Sequence, residues 1–356
     1  MPKTPEPRAR PLLVRPGARF TCSGDGLCCT DLHALGPLTR AEVKLVQKIR
    51  PGSVFMHEEV EAPCMRTAEG GGCALLNADG WCRIHVEDGP EHKPGGCKRF
   101  PYGLVTTPYG GRITTEHRCP CRTLGDRPAL DVLDADRSLR DLSGRLESDL
   151  TADKRVPMTI SKKLPFEQYE RIEAHMIERL LKGHRAEDVL ASKPLAPMYD
   201  ASWPVWAAGL YELDDGTRGG IALSWFADTL LALCTGSRPP DRPRPWANAF
   251  ERGAGRANKP ATEDEVVNDW IADELWMMRG LGLGVPFDIA RAELATRLCV
   301  VRAVTSRLRA VGVRADQAAA EAVMMAELAA ACEHWDDVVQ AIANDPSPSA
   351  ELSAPS

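Results

Sequence analysis

Cysteine is the residue whose number and placement could do chemistry here. Twelve occur in the 356-residue chain, and nine of them fall in one stretch: Cys22, Cys28, Cys29, Cys64, Cys73, Cys82, Cys97, Cys119 and Cys121. Thiolates that converge on one point, about 2.3 Å from each sulfur, hold zinc, iron or an iron–sulfur cluster. The N-terminus carries prolines and arginines without the apolar run of a secretory signal, which predicts a cytoplasmic protein. In that reducing compartment disulfides are disfavoured, and nine is an odd number, so the stretch reads as metal ligands. Cys234, Cys299 and Cys332 stand singly on apolar helical patterns and read as small buried hydrophobes.

Local spacing suggests how the sulfurs converge. Cys22 and Cys28-Cys29 bracket Gly24 and Gly26, which allow a tight turn. Neighbouring cysteines of an extended chain face apart, so Cys28 and Cys29 serve different metals, or one faces the core. Cys73 and Cys82 fall on the arms of a predicted hairpin that turns at Asn77–Gly80. Cys97 follows Pro94-Gly95-Gly96, and Cys119-Pro120-Cys121 closes the series. Nine thiols suffice for two four-ligand sites or one polynuclear centre. Of His33, His57, His85, His92 and His117, only His85 and His117 lie within three residues of one of these cysteines. A lone histidine is more often a hydrogen-bonded residue than a ligand.

These residues carry a resemblance. Phe20-x-Cys22-x2-Asp25-Gly26-x-Cys28-Cys29, then Cys73, Cys82-Arg-Ile-His85, Pro94-x2-Cys97-x2-Phe100-Pro101 and Cys119-Pro120 resemble the YkgJ-type cysteine-cluster family, whose CxxCxxCC motif is described as zinc- or iron-chelating. The resemblance covers about residues 18 to 125. The segment from Cys73 to Pro101, with Gly89-Pro90-Glu91, is also similar to the cysteine region of flagellin lysine N-methylases, which likewise place a helical half after it. That second likeness implies protein lysine methylation and a protein substrate. Asp25 stands where the family motif has a cysteine. A carboxylate is a harder ligand that would favour iron in a mixed O/S site, or zinc. Alternatively Asp25 only shapes the turn, and Cys64 or Cys121 fills the vacancy.

The surrounding pattern predicts the scaffold: a mainly α protein with a small Cys-rich α+β metal-clamped domain followed by a helical domain. The expected divisions are a flexible arm at 1–19, the cysteine domain at 20–125, helices at 126–343 and a disordered tail at 344–356. Bound metal would replace the core that residues 20–125 are too poor in apolar periodicity to build. Thr39-x-x-Glu42 is a capping box for one helix there, and Leu104–Thr107 with Arg112–Thr115 flanks a Pro108–Gly111 turn. In the second half, periodicity predicts helices at Phe166–Leu181, Ile221–Cys234, from Thr262, from Pro286, and from about Asp316 to Val339. The Phe166 stripe comprises Phe166, Tyr169, Ile172, Met176, Ile177 and Leu180, and seven of eight tryptophans fall in this half as its core.

Other signals carry less. Residues 237–261 form a Pro/Gly-rich loop with six basic side chains (Arg238, Arg242, Arg244, Arg252, Arg256, Lys259) against Asp241 and Glu251. This is a solvated loop, or a basic rim for an acidic partner. Gly280-Leu-Gly282-Leu-Gly284 resembles a nucleotide loop but follows a helix rather than a strand, so it reads as a helix terminator. A net charge of −6, no apolar run of membrane length and no finger spacing argue against nucleic-acid and membrane partners. Three function classes stand: a structural or storage metal protein, a protein-modifying enzyme, and a redox or interaction module. The oligomeric state is left open.

The ligand assignment predicts that Cys82→Ser lowers the metal-to-protein ratio sharply, whereas Cys234→Ser, Cys299→Ser and Cys332→Ser leave it unchanged. Elemental analysis of the four variants checks this, and equal losses would show the site to be misassigned.

Overall fold

The computed structural model describes residues 11–58, 61–141, 144–194 and 203–344. Most of the expected arm and all of the tail after Asn344 lie outside them. From residue 11 the chain is already fixed: Leu12–Val14 is a strand paired parallel with Gly110–Thr115, and Arg15 is buried. The arm therefore joins the fold earlier than expected.

The Leu12–Val14 strand edges a four-stranded sheet whose next members are Gly110–Thr115, Tyr102–Thr107 and Leu150–Thr151. Its middle is the expected hairpin, antiparallel from Tyr102↔Thr115 to Thr107↔Gly110, with Pro108-Tyr109 at the turn. Thr107 holds that turn by accepting from the Tyr109 and Gly110 amides and donating to the Gly110 carbonyl. Val54–His57 pairs with Ala62–Met65, and Arg155–Thr159 with Lys162–Pro165. The strands at 150–165 fall where only helix was expected, so the helical half proper begins at Phe166.

The hairpin expected around Asn77–Gly80 does not form. A turn closes there, with the Asn77 amide donating to the Trp81 carbonyl at 2.8 Å, but the return arm runs into the Arg83–Glu87 helix. An Arg83–Glu87 ion pair one turn apart suits that helix, and a single Leu76↔Cys82 bridge is all the pairing that remains.

The helices follow the sequence closely. The capping boxes at Thr39 and Thr262 open Arg40–Ile49 and Glu263–Met277, and Pro286 opens Phe287–Ala310. Phe166–Leu181 buries all of its expected stripe except Ile172, which is exposed. Trp225, Trp246, Trp270, Trp276 and Trp335 are core residues. The last helix breaks into Ala315–Ala330 and Glu333–Asn344. The break turns Trp335 inward, where its Nε1 donates to Glu293 at 2.8 Å. No glycine or proline announces this break, because an alanine-rich run reads as continuous helix. The glycines at 280–284 serve packing: a Cβ on Gly280 would lie 2.3 Å from that of Ala290. No described helix is long and apolar enough to cross a membrane.

One large apolar cluster spans the helices and draws in Leu27, Leu32, Val105 and Leu124 from the cysteine-rich part. Leu35, Leu38, Val46, Met65, Leu75 and Ile84 form a smaller core of their own. The helical half and the cysteine-rich part also meet through charge. Asp273, on the Glu263–Met277 helix and 2% exposed, accepts from Arg15, Arg122 and Thr115 Oγ1, and from His117 Nε2 at 2.8 Å. Asp269, one turn earlier, accepts from Arg15 and, at 2.6 Å, from Arg122. Burial alone would raise the Asp273 carboxyl, but Arg122 and Arg15 outweigh it and hold it well below the usual carboxylate range.

Asp273→Ala would leave Arg15 and Arg122 buried beside too little negative charge, so a loss of about 3–5 kcal/mol in urea unfolding is expected. Because folding favours the ionised Asp273, the stability it adds is present above about pH 4 and declines as pH falls below that. The parent should lose stability on acidification more steeply than the variant. Parallel acid curves for the two would remove Asp273 from this role.

Candidate metal centre

Glycine contacts assemble the cysteine loops. Gly24 (φ +69°) and Gly26 (φ +76°) reverse the chain between Cys22 and Cys28. The space beside Gly24 is filled by Trp81, whose Cε2 would lie 2.3 Å from a Cβ there. Gly26 rests on Gly80, with the Gly80 carbonyl 2.8 Å from the Cβ position. The 22–29 loop thus sits directly on the 77–82 turn, and a side chain at either glycine would part them. A third strand of chain joins where the Cys73 amide donates to the Cys29 carbonyl at 2.7 Å.

Within this assembly Asp25 has both roles open to it. Its Oδ1 accepts from the Leu27 amide at 2.9 Å, shaping the turn. Its Oδ2 is hydrogen-bonded to Cys121 Sγ and lies 3.7 Å from Cys119 Sγ. Asp25 is 3% exposed, Cys119 and Cys121 are buried, and the three donor atoms lie within 4.8 Å of one another. Cys22 adds a fourth donor through its hydrogen bond with Cys121. The Ser23 amide donates to Cys121 Sγ at 3.2 Å.

Electrostatics mark one negative charge shared among these groups. Hydrogen bonds from Cys119 and Cys22 hold the Cys121 thiol far below its ordinary value, against burial, with Asp25 and Ser23 assisting. Burial, then the Cys121 charge, pushes Asp25 up to about 7. Cys22 and Cys119 are raised, chiefly because each gives its proton to Cys121. One oxygen and two sulfurs that are buried, with the exposed Cys22 at their edge, suit a zinc or iron ion, which would displace these protons.

A second group adjoins it through Cys28. That thiol hydrogen-bonds Cys29 and also feels the Asp25 carboxylate. Burial pushes Cys97 up to about 12; Lys93 opposes this, and Cys73, Cys82 and Cys28 add to it. Burial works against the Lys93 charge, yet Cys28, Cys29, Cys97 and Cys82 together raise it above its ordinary value.

Cys64 lies apart. It sits on the Ala62–Met65 strand against Gly36, and burial alone raises its thiol. Of the two candidates for the motif's vacancy, Cys121 reaches Asp25 and Cys64 does not. His85 packs edge-on against Trp81 at 5.3 Å, and His117 is committed to Asp273. The three outlying cysteines are less buried than expected, Cys299 being exposed, and none joins either group.

Lys93, Ser23 and the Ala247–Gly255 helix escaped the sequence reading. That helix lies inside the stretch expected to be loop. Its Arg252 donates to the Asp25 carbonyl at 2.8 Å, and Arg256 donates to Ser23 Oγ. Arg244 pairs with Glu321 and Arg242 with Asp228, so most of the expected basic rim is spent inside the molecule. Comparisons with protein-family models, curated proteins and solved structures gave no match.

Asp25→Asn keeps an oxygen for the Leu27 amide and removes the anionic donor, so metal content should fall while metal-free thermal stability stays near that of the parent. Asp25→Ala should lower both, the turn bond being worth about 1 kcal/mol. Asp25→Cys should keep the metal and shift its absorption toward an all-thiolate site. Full occupancy with an unchanged spectrum in the Ala variant would exclude Asp25 as a ligand.

Proposed function

We propose that this protein binds zinc or iron, as single ions or an iron–sulfur centre, through two adjoining donor sets. The first comprises Cys22, Asp25, Cys119 and Cys121. The second comprises Cys28, Cys29, Cys73, Cys82 and Cys97. The observation that carries the reading is the buried convergence of Asp25, Cys119 and Cys121, whose donor atoms come from segments more than ninety residues apart in the chain. The likeness to the YkgJ-type cysteine-cluster family agrees with it, and a cytoplasmic setting suits twelve free cysteines.

The role that fits best is structural. Both sets tie loops that otherwise depend on a small apolar core, so bound metal would add its binding free energy to folding. Neither the groove at the start of the Glu263–Met277 helix nor the small cavity lined by Tyr169, Glu274 and Arg297 has a cysteine in its walls, whereas a catalytic metal needs an open position. That observation favours a clamp over the methylase reading.

The test is elemental analysis and an absorption spectrum of the full chain purified without oxygen, followed by chelation and limited proteolysis. Zinc or iron should co-purify, and its removal should expose residues 22–121 to protease while the helices from Phe166 onward persist. Metal-free protein with unchanged protease resistance would overturn the proposal.

A further inference from the structure

An open groove of ≈ 1100 Å³ runs along the start of the Glu263–Met277 helix, with Arg19, Arg127, Lys182, Lys259 and Asn268 among its walls. None of the proposed metal ligands lines it. One member of the ionic junction, Asp269, lines it. In that junction Arg15 and Arg122 each bond both Asp269 and Asp273. Arg127 arrives as a third guanidinium for two carboxylates, with Nη1 3.7 Å from Asp269, beyond hydrogen-bond reach. Its side chain is only 14% exposed, and its Nε and Nη1 have no hydrogen-bond partner among the described residues. Burial weakens its hold on a proton, with Asp269 opposing and Arg122 and Arg19 adding to the effect.

The other acidic groups on the groove are each engaged elsewhere. Asp126 accepts from Asn258, Asp264 pairs with Arg302 at 2.6 Å, and Glu265 is held by the Thr262 amide at 2.6 Å. Lys182 pairs with Glu178 at 2.6 Å. Arg19 donates to the Arg127 carbonyl at 3.2 Å and, like Lys259, is exposed at the rim. A second polar group is also left over. Asn268, 6% exposed, donates Nδ2 to the Leu180 and His184 carbonyls, and its Oδ1 has no partner among the described residues. A mostly buried guanidinium that shares its nearest carboxylate with two others and leaves two N–H groups without hydrogen-bond partners is costly, and an oxyanion is the group that removes the cost.

We infer that this groove binds a small organic oxyanion, a phosphate ester or a carboxylate, held by Arg127 with Arg19 and Lys259 at the rim, and that a hydrogen-bond donor on the ligand meets Asn268. Arg127 and Asn268 line the groove while these atoms are covered, so binding turns the side chains outward. The inference does not depend on the metal reading.

The experiment is thermal unfolding of the full chain with inorganic phosphate, and separately with succinate, against sodium chloride at equal ionic strength. A saturable rise in Tm with one anion is expected, and the effective anion identifies the ligand as phosphate- or carboxylate-bearing. Arg127→Gln should weaken it about tenfold or more, with metal content unchanged. If that variant does not fold, the Arg19→Glu and Lys259→Glu double variant reads the rim and should also bind more weakly. No saturable response to either anion would overturn the inference, as would parental affinity in both variants.

Discussion

The pairing of Arg15 and Arg122 with Asp269 and Asp273 is the constraint on which the rest of the structure depends. Arg15 comes from the N-terminal strand, Arg122 from the last cysteine turn, and both carboxylates from one helix of the second half. A buried ion pair of this kind adds little against a well-packed apolar substitute, but losing one member is severe. It therefore acts by fixing geometry: only one docking of the cysteine-rich part on the helices satisfies every charge. Thr115 and His117 occupy further lone pairs of Asp273, which leaves the carboxylate fully engaged.

Against that fixed frame the cysteine loops are held by contacts of a different kind. Gly24 on Trp81 and Gly26 on Gly80 bring two loops closer than any side chain would permit. Asp25, Cys119 and Cys121 then meet in a buried group, with Cys22 and Cys119 hydrogen-bonding Cys121 and holding its thiol far below its ordinary value. A divalent ion is a better solution to the same electrostatic problem, since it removes several buried thiol protons at once.

Local signals in the sequence were the ones that survived folding. The capping boxes at Thr39 and Thr262, Pro286, and the stripe from Phe166 are each set within a few residues of backbone, and they reappear as helix ends and buried faces. The Arg112 hairpin was legible for the same reason. What failed depended on tertiary partners: Cys82 caps a helix because the 77–80 turn must seat Gly26, and Ala331 breaks a helix because Trp335 must reach Glu293. The site was legible as a list of cysteines, since thiols are rare enough to count. The meeting of Asp25 with Cys119 and Cys121 was not, because it rests on a loop closure that spacing does not record.

The short run from Thr115 to Thr123 joins the ionic junction to the Asp25 thiol group. Within nine residues it supplies Thr115, His117 and Arg122 to the carboxylates of the helix, and Cys119 and Cys121 to Asp25. Pro120 starts the turn that sends Cys121 and Arg122 to opposite sides. A shift of this turn by one residue would exchange a thiol for a guanidinium, placing a cation among the sulfurs and an uncompensated carboxylate in the core. The ionic junction therefore does more than join two packed regions. By holding Arg122 it sets the height and rotation of Cys121, and with them the meeting of Cys121 with Asp25 and Cys119.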